Sequence, residues 1–405
     1  MKKIKFSDLY TISSGISSTK EQAGHGSPFL SFSTVFNNFF IPDKLEDLMD
    51  TSESEQKTYS IKSGDIFLTR TSEVIDELAM SSVALKDYPN ATYSGFLKRL
   101  RPIDGLKTYP KFMAFYLRTP LFRKTITNNA TMTLRASFNE TIFSYLDLLL
   151  PDYSEQKKIG DFLYLINQKI ALNKQINARL EEMAKTLYDY WFVQFDFPDT
   201  DGKPYKSSGG EMVFDETLKR EIPKGWGSIE LQSCLAKIQN TTKILNKDIK
   251  DFGKYPVVDQ SQDFICGFTN DEKSILNPQD AHIIFGDHTR IVKLVNFQYA
   301  RGADGTQVIL SNNERMPNYL FYQIINQIDL SSYGYARHFK FLKEFKIILP
   351  SKDISQKYNE IANTYFVKVR NNIKQNHQLT QLRDFLLPML MNGQVSVTCS
   401  GARDG

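Results

Sequence analysis

Cysteine is nearly absent from this sequence: Cys234, Cys266 and Cys399 are the three in 405 residues, and no two form a CxxC pair. That argues against a disulfide framework or a structural zinc site, and it points to a reducing cytoplasm. No apolar run approaches the roughly 20 residues needed to cross a bilayer, so no membrane partner is expected. The opening MKKIKFSDLY has lysines but no apolar stretch behind them, unlike a secretory signal. The five histidines, at 25, 282, 288, 338 and 377, are scattered without metal-ligand spacing. Neither a GxxxxGK(S/T) loop nor an Asn-Pro-Pro-aromatic tetrapeptide occurs, and NPQD at Asn277 fails the latter at its third residue. Nothing therefore cradles ATP phosphates or holds a target amine, and no Gly-rich cofactor loop follows a first strand.

What is present describes a soluble globular chain, 41% hydrophobic, 13% aromatic and 24% charged. Its length suits two or three domains, each able to bury a core. A net charge of +4 names no partner, but its distribution is uneven. Nine Lys/Arg lie between Lys98 and Arg135, against the single acid Asp104. Such a run is either a solvated surface or a polyanion-binding face.

The sequence repeats itself. LLLPDYSEQKKIGDFLYLINQKI at 148–170 returns as IILPSKDISQKYNEIANTYFVKV at 347–369, an offset of 199 that holds for forty residues. It pairs Ile159 with Tyr358, Ile166 with Tyr365, Asn173 with Asn372, Leu180 with Leu379 and Leu187 with Leu386. These sites are seven apart, the spacing of a coiled-coil core position. A second row at +3 and +4 holds Phe162, Leu163, Ile170, Ile176, Met183 and Trp191 in one copy, and Ile361, Val369, Leu382 and Met389 in the other. Neither 161–197 nor 351–387 contains Gly or Pro. Each copy therefore predicts a helix of about 40 residues, some 60 Å at about 1.5 Å per residue. Pro151 and Pro350 mark the starts, and Gly202 and Gly393 lie just past the ends. Two such helices pack most simply on each other, antiparallel and pseudo-two-fold symmetric, with Asn173 and Asn372 fixing the register of the pair.

The segments before the helices read as short β-branched and aromatic runs broken by turn residues, which predicts β-rich domains with a few helices. The expected organisation is a first domain over 1–150, a helix over 151–197, a linker over 198–219, a second domain over 220–350, a helix over 351–393 and a tail over 394–405 without packing logic. The fold class is mixed α+β. YSIKSGDIFLTRTSE at 59–73 is strand, turn and strand, and YPKFMAFYLRTPLFRKTI at 109–126 has helical spacing. In the second domain, MPNYLFYQIINQI at 316–328 is its helical counterpart.

The REIPKGWG opening at 220–227, the FGDHTR turn at 285–290, the GADGTQ loop at 302–307 and the twice-repeated LP-plus-long-helix unit resemble the specificity subunit of type I restriction-modification enzymes. The likeness spans essentially the whole chain. It implies two target-recognition domains, each reading half of a bipartite double-stranded DNA sequence. It also implies an antiparallel helix pair that sets the spacing and docks methyltransferase subunits. The first domain lacks the IPxGW leader, as a circularly permuted layout with the C-terminus near the N-terminus would allow. The resemblance further implies a non-catalytic chain that binds no cofactor itself. S-adenosylmethionine, ATP and Mg²⁺ would belong to methyltransferase and motor-nuclease partners.

Phosphate contacts supply affinity and base edges supply specificity, so readers need Arg, Lys and amide or hydroxyl side chains on loops. The candidates in the first domain are Thr69, Arg70, Thr71, Lys98, Arg99, Arg101, Arg135 and Ser137. In the second they are His288, Thr289, Arg290, Arg301, Thr306, Gln307, Arg337, His338 and Lys340. Two other readings compete: a coiled-coil scaffold without DNA readout, which leaves the basic clusters idle, and a metal-dependent nuclease built on Asp280, Asp287 and Lys293.

Overall fold

The computed structural model describes residues 1–17, 19–72, 78–103, 107–129, 136–303, 305–334 and 337–397. The chain divides into two compact units, Met1–Ala171 with Asn376–Gly405 and Leu172–Gln375. Each is mixed α+β, and both follow one plan.

In the first unit an antiparallel sheet runs in the order Tyr10–Ser14, Leu97–Pro102, Ile66–Thr69, Ser81–Val83. Ile66, Phe67 and Leu68 are all buried, as expected of a continuous apolar run at the centre of a sheet. Helix Pro110–Tyr116 starts on a proline at its first position, where the missing N–H is no loss. It delivers Phe112, Met113 and Phe115 to a core shared with Phe6, Leu148 and Leu150. Strand Lys2–Lys5 pairs antiparallel with Asp147–Leu150, which leads into the first long helix.

The second unit repeats that ending 199 residues later, where Gly227–Glu230 pairs antiparallel with Lys346–Leu349. Its body holds a sheet ordered Gly267–Thr269, Tyr255–Val258, Tyr299–Arg301, Ile275–Leu276, and another ordered Val292–Val295, His282–Gly286, Thr306–Ile309. The leader tryptophan explains itself: Trp226 stacks on Phe197 at 5.0 Å and meets Phe192 at 5.7 Å in the core. In the first unit Met1 stands where Trp226 does, just before the paired strand, and Leu387, Leu390 and Met391 enter the core from the other end of the chain. The end of the second long helix thus shares a core with the N-terminal residues Ile4 and Phe6. Within 198–219, the stretch read as a linker, Met212–Asp215 forms a strand against Arg220–Pro223. Of the tail, Val395 and Val397 touch the first unit's core, and residues 398–405 lie outside the described residues.

The long helices run Tyr153–Tyr188, continued by a π-turn at Asp189–Val193, and Lys352–Met391. Within each unit their segments pack antiparallel. In the second unit Tyr358 Oη donates to the Ala184 carbonyl at 3.0 Å. There Asn372 Nδ2 donates to Asn177 Oδ1 at 2.8 Å, and Asn173 Nδ2 donates to Gln375 Oε1 at 2.7 Å. In the first, Asn376 Nδ2 reaches the Ile170 carbonyl at 3.2 Å. Asn173 and Asn372 are thus both buried, and each donates to an amide side chain of the facing helix, Gln375 and Asn177 respectively. The heptad rows drift: Met183 and Leu382 are exposed, and Ala184, Tyr188, Leu387 and Leu390 take the buried places. A nearly straight helix gains about 20° per heptad on a 3.5-residue repeat, which moves the buried stripe by this amount.

Candidate nucleic-acid interface

Three loops of the second unit meet. The turn after strand His282–Gly286 is closed by Gly286 N–H to the Ile291 carbonyl and by Arg290 N–H back to Gly286, each at 2.8 Å. The next loop lies against it, since Asp287 N–H donates to the Gly305 carbonyl at 2.7 Å. Residues 259–263 complete the group: Gln260 Oε1 accepts from His288 N–H at 3.2 Å, and its carbonyl accepts from Thr289 Oγ1 at 2.8 Å. Close approach requires glycine at two of these points. A Cβ on Gly305, which has φ of +71°, would lie 2.7 Å from Gln260 Nε2, and one on Gly286 would lie 2.1 Å from Thr289 Oγ1.

Asp287 is buried and joins a fourth segment to the turn. Its Oδ1 accepts from Phe339 N–H at 2.8 Å and its carbonyl from His338 N–H at 2.9 Å, at the start of helix His338–Glu344. His338 is buried too, with Nδ1 2.9 Å from the Asp287 carbonyl and Nε2 3.0 Å from that of Gly334. The segment bearing the exposed Arg337 and Lys340 is thereby joined to the turn bearing the exposed His288, Thr289 and Arg290. Arg290 holds φ of +61°, uncommon for a side chain of its size. Thr306 is buried under the loop, Gln307 is half-buried opposite Phe285, and Arg301 is half-buried with its Nε lacking a partner among the described residues. Beneath them Lys293 is buried, its Nζ donating to the Asp259 carbonyl at 2.8 Å and to that of Asp263, and burial pushes its pKa below the ordinary lysine value.

In the first unit Arg70 is exposed at the exit of strand Ile66–Thr69. Its N–H donates to the Phe96 carbonyl and its carbonyl accepts from Phe138 N–H, each at 2.8 Å. Thr71 pairs with Ser137, so those two segments are joined. Arg135 lies outside the described residues. Thr69 is buried and its Oγ1 accepts from Met80 N–H at 2.9 Å. Lys98, Arg99 and Arg101 are engaged elsewhere. Lys98 is buried against Ser14 Oγ at 2.8 Å. Arg99 donates to the Ser60 carbonyl at 2.7 Å and lies over the Tyr93 ring. Arg101 grips the fully buried Asp65 through Nε at 2.8 Å and Nη2 at 2.6 Å. Much of the basic run is likewise internal. Lys111 meets Asp161 at 2.9 Å, Arg123 donates to the Leu78 carbonyl, and Arg118 donates to the carbonyls of Val35, Phe36, Asn38 and Ser81. Burial lowers the Arg118 pKa to about 10.

Residues 1–182 match the family model for the type I restriction modification DNA specificity domain. The type I restriction enzyme MjaIX specificity subunit of Methanocaldococcus jannaschii is 26% identical over 339 residues, covering 78% of this chain and 75% of that one. The HindI specificity subunit of Haemophilus influenzae is 24% identical over 439 aligned positions, covering 91% and 94%. The first 182 residues thus match the DNA specificity domain of type I restriction-modification systems, and most of the chain is similar to their specificity subunits. The fold agrees: a crystal structure of the S subunit from M. genitalium superposes with a TM-score of 0.58 at 16% identity, covering 96% of this chain and 95% of that one.

A specificity subunit is a non-catalytic member of its system, and the carboxylates and lysine that suggested a nuclease serve the scaffold here. Asp280 accepts from Asn318 Nδ2 at 3.4 Å, Asp287 holds the start of a helix, and Lys293 ties two loop carbonyls. Among the described residues no group of three or more His, Cys, Asp or Glu could hold a metal ion, and no helix is long and apolar enough to cross a membrane. Sequence reading missed Asp259 and Gln260. Their signal was the polar cluster DQSQD at 259–263, flanked by the apolar pairs VV and FI.

Proposed function

We propose that this chain is a specificity subunit that reads a bipartite double-stranded DNA target, one half with each unit, and brings methyltransferase and motor-nuclease subunits to it. The observation that carries the reading is the repeat. Each unit has its own core, its own strand pair leading into a long helix, and its own loop with an exposed arginine, Arg70 in one and Arg290 in the other. Arginine on such a loop suits both phosphate and guanine. His288 and Thr289 share the turn of Arg290, and Arg337 and Lys340 lie on the segment bonded to that turn through Asp287, whereas Thr69, Thr71 and Ser137 shape the strand exit that carries Arg70. The long helices act as the ruler, with half-site centres about one duplex turn apart, roughly 34–36 Å. The partners bring S-adenosylmethionine, ATP and Mg²⁺; this chain contributes address rather than chemistry.

Replacing residues 1–150 by the corresponding segment of another specificity subunit tests the reading. The methylated sequence should change in one half and stay the same in the other. A change in both halves, or in neither, would overturn the assignment of one half-site per unit.

A further inference from the structure

The segment at 259–263 is built into the second unit's loop cluster more firmly than a connecting loop needs. Lys293, 5% exposed, spans it from below by donating to the carbonyls at both ends, Asp259 and Asp263. Asp259 Oδ1 accepts from Ser261 N–H at 2.9 Å and fixes the turn between them. From above, Gln260 takes the N–H of His288 and the hydroxyl of Thr289, two of the exposed groups of the neighbouring turn. Gln260 also packs where Gly305 leaves room, with Nε2 and Oε1 2.7 Å and 3.0 Å from the position a Cβ would take. At its side, a Cβ on Gly302 would come within 2.6 Å of the Asp259 Cβ. The turn bearing His288 to Arg290 is therefore tied to Gln260 through both its side chain and its carbonyl. The Gly-rich loop packs beside the same side chain, and a buried ammonium holds the backbone of the segment on either side of it.

We infer that Gln260 and Lys293 are positioning residues for specificity: they set the second unit's reading loops in register without themselves supplying the base contacts. This deepens the DNA-reading assignment above and rests on it. Rigid support of this kind is what separates discrimination from affinity. A loop loosened by an ångström still meets phosphates but no longer matches donors and acceptors to base edges. Half-buried among the three loops, Gln260 acts through the acceptor it offers to His288 N–H, so a carboxylate of the same shape should do the same work.

The test uses the complete methyltransferase complex acting on a library of randomised DNA duplexes, with methylated sequences read out. Gln260→Ala and Lys293→Met should each reduce discrimination between cognate and singly substituted bases in one half-site by about tenfold, the scale of one forfeited base-edge match. The other half-site should keep its full discrimination, and Gln260→Glu should restore the wild-type pattern. Unchanged discrimination in Gln260→Ala would overturn the proposal, as would equal loss in both half-sites, the signature of general destabilisation. A Lys293→Met chain that does not assemble leaves Gln260→Ala and its Glu rescue to decide. If the wild-type complex shows no bipartite pattern, the failure lies with the DNA-reading assignment itself.

Discussion

Arg101 stands among the sequence's candidates for DNA contact, and the structure makes a sharper prediction about it. Asp65 has no exposed surface, and its carboxylate is held by Arg101 through two bonds and by Lys62 N–H at 2.8 Å. Arg101→Ala removes both charge-assisted bonds and the only ion-pair partner of that carboxylate among the described residues. Taking one partner from a buried pair costs about 3–5 kcal/mol, because the remaining charge is left without solvent or counter-ion. At about 2–4 °C per kcal/mol for a unit of this size, the melting temperature should fall by roughly 6–20 °C. Calorimetry on the purified protein reads this directly. Adding Asp65→Asn to the same chain removes the stranded charge and should recover most of the loss. Below its melting transition, Arg101→Ala should keep the wild-type salt dependence of DNA binding. The reasoning fails if Arg101→Ala melts like the wild type while the salt slope drops by about one phosphate contact.

Three further outcomes follow from the same geometry. His282 is buried with Nδ1 3.1 Å from Tyr299 Oη, and burial lowers its pKa to about 4. The unfolded chain binds the extra proton first, so stability should be full above the unfolded value of about 6.5 and fall by about 3 kcal/mol as the pH drops to 4. His282→Gln should flatten that part of the pH–stability curve measured by urea unfolding. Arg290→Ala with Arg301→Ala should weaken cognate binding by about 1–3 kcal/mol for each base edge no longer gripped. Equal weakening on random DNA would mean that both hold phosphates only. Replacing Asn173 and Asn372 by Leu should leave the melting temperature equal or higher, and it should broaden the spacer in methylation mapping if the buried amides fix helix register. A uniform spacer would assign them no such role.

The long helices were legible because their signal is local: an apolar repeat without Gly or Pro survives in the linear sequence. The offset of 199 likewise pointed to two copies of one plan, down to the strands Asp147–Leu150 and Lys346–Leu349. Less visible was how far the seam departs from a strict heptad, since the drift that exposes Met183 and Leu382 depends on how two helices lie together. The basic run could not be read at all. Arg118 looks like any surface arginine until the chain brings four backbone carbonyls from residues 35–38 and 81 around it. Lys98 and Arg101 face partners 84 and 36 residues away, a separation that charge patterning does not encode. The FGDHTR and GADGTQ motifs were found by resemblance, yet the residue that joins them, Gln260, carries no motif of its own.

The central claim is that two reading units share one duplex at a spacing set by paired helices, and mapping methylated adenines in the host genome tests it most directly. The account predicts a single motif of two short specified halves separated by a fixed run of unspecified bases. A short contiguous motif, or halves at variable separation, would contradict it.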